Sequence, residues 1–311
     1  MNKKVTLRNF RSGKIRLLIG WLLIAAYFIA SCLYGAQSGR LTLTTYNIHH
    51  AAGTDGVLSL ERIVDDIRHA DVIGLQEVDR HFDERSQFED QAGKLAEALG
   101  YYHVFAPNLN LGPGTGDPLA DRSQYGIALL SRYPIEYARN YPLPKIQYVE
   151  GISEQRGLLE TQLQIGERKL RVYVTHLSHS SQEQRLLQVK SVREIILSAS
   201  GTGPPSGTLA IASSFVVMGD FNFPPSSEEY ALVTGEWRQD RQLVRKDGFV
   251  DAWRLVEESP GHTIGLDGSR GRRIDYIFVS PDLADLVISG EVNSETRASD
   301  HQPVSIVIEG F

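Results

Sequence analysis

A chain of 311 residues with one cysteine, Cys32, can hold no internal disulfide. Nor is there a Cys and His cluster with the spacing of a Zn²⁺ site. No segment repeats, and no break in composition marks a second globular domain. Hydrophobic residues make up 41% and charged residues 23%, the balance of a globular protein with room for one big domain or two small ones. What is scarce beyond residue 36 is positive charge. Residues 1–36 hold six of the 32 Lys and Arg residues and none of the 38 acids, so the remainder carries 26 against 38, a net of about −12. Such a surface repels a long polyanion unless a local basic groove intervenes, which counts against a non-specific nuclease.

The long apolar run lies at the N-terminus. Lys3, Lys4, Arg8, Arg11, Lys14 and Arg16 precede LLIGWLLIAAYFIA, fourteen residues without a charge. A basic stretch followed by an apolar one is the layout of an export signal, and is favoured here over a buried core helix. Ile29, Ala30, Ser31 and Cys32 resemble a bacterial lipobox, where the signal is cut before a lipid-modified cysteine. Extended through SCLYGA, the run reaches about twenty residues, enough to span roughly 30 Å of bilayer as an uncleaved anchor. A lipoprotein signal and a signal anchor both stay open, with simple secretion a third reading. Each makes 1–36 a targeting or anchoring segment and places 37–311, the domain that would do the chemistry, outside the cytoplasm. The first two tie the chain to a membrane.

Beyond the leader, LTLTTYNI alternates like a strand. Ser59 is placed to cap a helix carrying Leu60, Ile63, Val64 and Ile67. DVIGLQEV reads as the next strand, Gln91 to Leu99 as a helix stopped by Gly100, and YGIALLS as another strand. LLETQLQI and KLRVYVTHLS read as a hairpin turning at Gly166. Ser181 and Gln184 form a capping box before a helix with Leu186, Val189, Val192 and Ile196 inward. FVVMGDFN, RIDYIFVS and PVSIVIE are the remaining strands. Strands that alternate with helices yet also pair through hairpins suggest mixed sheets with helices outside.

Nearly every strand then ends in a polar cluster. TTYN ends at Asn47, GLQEVD carries Glu77, VTHLSH carries His176, VVMGDFN carries Asp220 and Asn222, RRIDYI carries Asp275, and Asp300 and His301 open the last strand. A cap, a turn or a surface salt bridge explains any one of them. It does not explain the series.

Together these stretches are similar to the endonuclease/exonuclease/phosphatase superfamily of metal-dependent phosphoesterases, which includes DNase I-like nucleases, neutral sphingomyelinases and inositol polyphosphate phosphatases. TYNIHH, GLQEVDR, YGIALLSRYPI, EQRGLLE, THLSH, GDFNFPPSSEEY, RRIDYIFVS and SDHQPV stand in the family's order over about residues 41 to 309. The resemblance implies a four-layered α/β sandwich, two mixed β-sheets face to face with flanking helices, and a site at one end of them.

Phosphoester hydrolysis needs an aimed water, charge relief on the non-bridging oxygens and a stabilised leaving oxygen. Carboxylates suit Mg²⁺ or Mn²⁺, so Glu77 is the first choice of metal ligand, with Asp300 and Asn47 beside it and an ion pair of Glu77 with Arg80 as the plain alternative. The resemblance carries Asp275 into the role of orienting His301. It makes His301 either the general base or the group that steadies the transition state. Asp220 and Asn222 fall where the family holds the attacking water and a phosphate oxygen, and His176 where it hydrogen-bonds the phosphate. On this reading Asp300 faces the metal and His301 the phosphate. Arg156 and Tyr125 are placed near the substrate, with an ion pair of Arg156 to Glu154 or Glu160 as its structural alternative. Ile127 departs from the polar residue that relatives often carry there. His49, His50 and His179 read as loop or core histidines without a role.

Every chemical position is filled, which favours an enzyme over a non-catalytic binding protein on the same fold. Lipid headgroups or small phosphoesters are preferred as substrate over nucleic acid, for which the sequence offers only Arg270, Arg272, Arg273 and scattered tyrosines. A tethered or secreted nuclease is the alternative. The chain is expected to be a monomer.

Overall fold

The central strands are apolar on both faces because each is covered twice, once by the opposite sheet and once by helices. In a computed structural model, residues 39–114, 117, 119–146, 154–198, 214–235, 249–265 and 271–311 are described. The leader, which includes Cys32, and Arg270 lie outside the described residues. Among the described residues no helix is long and apolar enough to cross a membrane.

In chain order the elements are β1 (Arg40–Asn47), α1 (Leu60–Ile67), β2 (Val72–Arg80), α2 (Gln91–Leu99), β3 (Tyr102–Asn110), β4 (Gln124–Ser131), β5 (Ile135–Pro142), β6 (Gly157–Ile165), β7 (Arg168–His176) and α3 (Gln182–Ser198). They continue with β8 (Phe215–Asp220), α4 (Glu228–Thr234), β9 (Val250–Asp251), α5 (Ala252–Val256), β10 (Asp275–Val279), β11 (Val287–Val292) and β12 (Val304–Glu309). One sheet runs β11-β12-β1-β2-β4-β3 and the other β5-β6-β7-β8-β10-β9. Both are mixed: β1 with β2 and β7 with β8 are parallel pairs, whereas β2 with β4 and β6 with β7 are antiparallel.

Period-two alternation sorts side chains into layers. Leu43, Val72 and Leu129 of the first sheet meet Val172, Val174, Val216 and Met218 of the second. On the first sheet's outer face, Ile73, Leu75 and Leu130 pack against Ile63, Ile67 and Leu95 of α1 and α2. Tyr173, Val217 and Phe278, the alternate residues of the second sheet, pack against Val189, Val192 and Ile196 of α3 and Val233 of α4. This is the expected four-layered α/β sandwich.

Local chemistry fixes the ends. Ser59 Oγ accepts from Arg62 N at 3.3 Å, capping α1. Gly100 closes α2 at a φ of 70°, a conformation that costs glycine little. Ser181 Oγ likewise accepts from Gln184 N, but the Gln184 side chain binds Ile146 N rather than reaching back to complete the capping box.

Candidate active site

Strand register brings the polar ends together. Asn47 at the end of β1 pairs with Gln76 in the middle of β2, His176 with Asp220 at the ends of β7 and β8, and Asp275 stands opposite Asp220. The two sheets are then joined at this end by one amide. Asn47 Nδ2 donates to Glu77 Oε1 at 3.0 Å and to Asp220 Oδ2 at 3.1 Å. Asn47 is fully buried, and its Oδ1 accepts from His49 N.

Glu77 reaches that position through a bulge. The β2–β4 register shifts between Leu75 and Val78, and Glu77 takes a φ of 56°, a region side-chain-bearing residues avoid. An extra residue in one strand breaks the strict alternation, and bulges of this kind re-aim side chains near sites. Gln76 stays buried while Glu77 is half-buried at a cleft of about 220 Å³. Arg80 pairs instead with Asp90 at 3.3 Å; the ion pair considered for Glu77 is not formed.

Below the cleft lies a buried floor. His301 Nδ1 is 2.9 Å from Asp275 Oδ2, and its Nε2 is 3.8 Å from Asp220 Oδ2. Burial pulls the His301 pKa down, but the anions of Asp275 and Asp220 outweigh it and raise it to about 10. Asp220 is pushed up to about 7 by burial and by Asp275. Its Oδ1 accepts from Asn222 N at 2.9 Å, and Asn222 Nδ2 donates to Leu177 O. Asn222 holds a φ of 55°.

His176 sits beside this pair, with Nε2 3.4 Å from Asp220 Oδ2. Arg156 Nη1 is 3.1 Å from His176 Nδ1, and a guanidinium can only donate, so Nδ1 is the acceptor and Nε2 carries the proton. Burial, then the Arg156 charge, holds His176 well below its ordinary pKa and keeps it neutral. Arg156 Nη2 reaches both Glu154 at 3.0 Å and His179 Nδ1 at 3.2 Å. The ion pair with Glu154 therefore coexists with a place on the cleft wall, while Glu160 is engaged by Arg171 and Tyr173. Tyr125 lines the same cleft; burial and the Glu77 anion push its hydroxyl pKa up while Arg156 opposes them.

Asp300 and His301 diverge as expected of neighbours at a strand mouth. His301 is 5% exposed, whereas the Asp300 side chain is 49% exposed and has Oδ1 3.8 Å from His49 Nδ1. Ser299, buried between them and β1, donates from Oγ to Asn47 O at 2.7 Å and accepts from His301 N.

Several residues that carry no role in the sequence reading stand here. His49, His50 and His179 line the cleft, as do Phe82, Arg85 and Leu109. Thr263 Oγ1 accepts from the backbone of both Ile274 and Asp275, fixing the base of the His301 partner. Only the double histidine of TYNIHH, next to Asn47, offered a signal. Among the described residues, two groups of donor atoms lie within 4.8 Å of one another: His49, His50 and Glu77, and Asp220, Asp275 and His301.

A profile of the Endonuclease/Exonuclease/phosphatase family matches residues 44–301, a span that includes every site residue above. The chain belongs to the endonuclease/exonuclease/phosphatase family. Family membership makes it one of a group of phosphoesterases and nucleases that generally depend on a divalent metal. Among solved structures, an endonuclease/exonuclease/phosphatase from Beutenbergia cavernae is 25% identical over 87% of this chain and 71% of its own, with a TM-score of 0.64. The Bacteroides thetaiotaomicron mannosyl-6-phosphatase is 18% identical over 86% of this chain and 99% of its own, at 0.59. The human Nocturnin catalytic domain with bound sulfate is 19% identical over 87% and 94%, at 0.59. At 18% and 19% identity these two share the fold. No curated protein sequence matches the chain.

Proposed function

We propose that the chain is a divalent-metal-dependent hydrolase of phosphodiester or phosphomonoester bonds, acting outside the cytoplasm on a lipid headgroup or another small phosphoester. The observation that carries this reading is the Asn47 bridge between Glu77 and Asp220, which couples a half-buried carboxylate at an open cleft to a buried acid–histidine floor. Glu77 fits a hard cation: its carboxylate lines the cleft and has its Oε1 oriented by a buried amide. With Asp300 and Asn47 it would hold Mg²⁺ or Mn²⁺. An ion held by these residues would supply charge relief to the phosphate's non-bridging oxygens.

The protein groups divide the remaining work. Asp220 Oδ2, with its pKa raised to about 7, is suited to take the proton of the water whose oxygen forms the new bond to phosphorus. His301 is a cation under the Asp275 anion. That favours the second of its two expected roles, donating from Nε2 to steady the transition state. Neutral His176 offers a second donor at Nε2, and Arg156 fixes its tautomer. Arg156 also lines the cleft and can pair with phosphate there.

Size and charge support a small phosphoester over a polynucleotide. The cleft measures about 220 Å³, and Arg273 is buried in an ion pair with Asp251 at 2.7 Å, withdrawn from any basic groove. The test is a substrate panel: the full-length protein with Mg²⁺ or Mn²⁺ against sphingomyelin, phosphatidylinositols, a generic phosphate bis-ester, plasmid DNA and RNA. Turnover of the lipid or small esters above that of the polynucleotides is expected. Cleavage confined to DNA or RNA would transfer the assignment to a nuclease.

A further inference from the structure

His49 and His50 take no part in the chemistry above, yet they form the wall next to Glu77. One nitrogen of each imidazole and one Glu77 oxygen lie within 4.8 Å of one another, with all three residues half-buried. Their backbones are equally unusual. His49, His50 and Glu77 have φ of 44°, 45° and 56°, in the left-handed region that residues with a Cβ rarely enter, and least often as neighbours. The turn is clamped on both sides: Asn47 Oδ1 accepts from His49 N at 3.1 Å, and Gln91 Nε2 donates to His50 O at 2.7 Å. Strain held in this way collects at functional sites.

The tautomer of His49 is also set. Its Nδ1 is 3.2 Å from Ala52 O, and because a carbonyl only accepts, Nδ1 carries the proton and Nε2 keeps a free lone pair. Metal-bound histidines show this outward hydrogen bond almost without exception. Packing of the two rings against each other, edge to face at 4.5 Å, accounts for their contact. It accounts for neither the strained turn nor the convergence on a carboxylate.

We infer that His49 and His50 join Glu77 as ligands of one divalent ion, so that the site selects a borderline transition ion of the Co²⁺ kind over Mg²⁺. The inference rests on Glu77 as the metal ligand of the proposed function. Mg²⁺ favours an all-oxygen octahedron and keeps its waters, whereas imidazole raises affinity toward the later divalent ions. Two imidazoles added to the Glu77, Asp300 and Asn47 oxygens leave one position of an octahedron for a phosphate oxygen. The donors lie within 4.8 Å of one another, near the largest separation of about 4.2 Å that two donors about 2.1 Å from one ion can have.

Co²⁺ is the probe, because it shifts the exchangeable N–H protons of ligating imidazoles far outside the normal proton spectrum. Metal-free full-length protein titrated with Co²⁺ should show such resonances from two imidazoles. His49→Gln and His50→Gln should each remove one set and weaken Co²⁺ binding about 10- to 100-fold, while Mg²⁺ affinity changes far less. Glu77→Gln should weaken both ions. If Co²⁺ binds in a Glu77-dependent way with no shifted imidazole N–H, the inference fails and the Glu77 reading stands. It fails equally if the shifted signals vanish in His301→Ala and persist in the His49 and His50 variants, which would put the ion in the buried floor. Binding that ignores Glu77 removes both readings. The wild-type spectrum decides the ligand type even if a variant does not fold.

Discussion

His301 Nδ1 lies 2.9 Å from Asp275 Oδ2, with both side chains almost wholly buried, and the other ring nitrogen faces Asp220 Oδ2 at 3.8 Å. The imidazole is thus oriented from one side and aimed from the other. His301→Ala and Asp275→Asn should each lower turnover by about 10³- to 10⁴-fold, and the double variant should cost little more than His301→Ala alone, because residues acting as one unit are strongly non-additive. Single-turnover rates of the three variants measure this. Losses that multiply in the double variant would show that Asp275 works independently.

The same pair sets a pH dependence. The folded pKa of His301, about 10, lies above its ordinary 6.5, so its stabilising contribution is complete below about pH 6.5 and is lost as pH rises through about 10. His176 is shifted the other way. Its neutral folded form refuses a proton that the unfolded chain accepts, so stability falls as pH drops below about 6.5. Histidine side-chain NMR of the metal-free protein should find His301 still charged at about pH 9 and His176 neutral well below pH 6.5. Asp275→Asn should move the His301 transition down. Two ordinary titrations near neutrality would contradict the assigned environments.

Close approach of the two sheets gives a test of the sandwich itself. A Cβ at Gly74 on β2 would lie 2.7 Å from Met218 Sδ and 3.1 Å from Val174 Cγ2, both on the facing sheet. Gly74→Ala should therefore destabilise by about 1–3 kcal/mol, read from urea denaturation midpoints, and Met218→Ala in the same chain should restore part of the space. An unchanged midpoint would mean that the sheets are not packed this tightly at Gly74.

For the leader, we propose that Cys32 is the lipidated residue of a processed signal. Cys32→Ser should then block processing, and intact-mass analysis of membrane-extracted wild-type protein should show a lipid on the new N-terminus. A full-length, unmodified chain would favour the anchor.

Eight strands were legible in the sequence, and the four that were not are β3, β5, β9 and β11, which form the four edges of the two sheets. An edge strand is covered less, so its pattern carries less apolar signal: Tyr102 and His103 on β3 are exposed, as are Glu136 and Arg139 on β5. The site residues with polar side chains at the ends of buried strands were readable because burial makes a polar residue conspicuous. His49, His50 and His179 were not, since loop histidines look alike until a turn such as the one at φ 44° and 45° brings them beside a carboxylate. The bulge at Glu77 was hidden for a related reason. Nothing in GLQEV distinguishes a shifted register from a regular strand, because the shift is set by pairing with β4.

Turnover of bis(p-nitrophenyl) phosphate by full-length wild-type and Glu77→Gln protein, with and without a chelator, tests the site most directly. With the ion held at Glu77, the wild type should be active with divalent metal and silent after chelation, and Glu77→Gln should fold with an unchanged circular dichroism spectrum yet lose activity by about 10²-fold or more. Undiminished turnover after exhaustive chelation, or in the folded Glu77→Gln variant, would contradict a metal-dependent phosphoesterase built on this carboxylate.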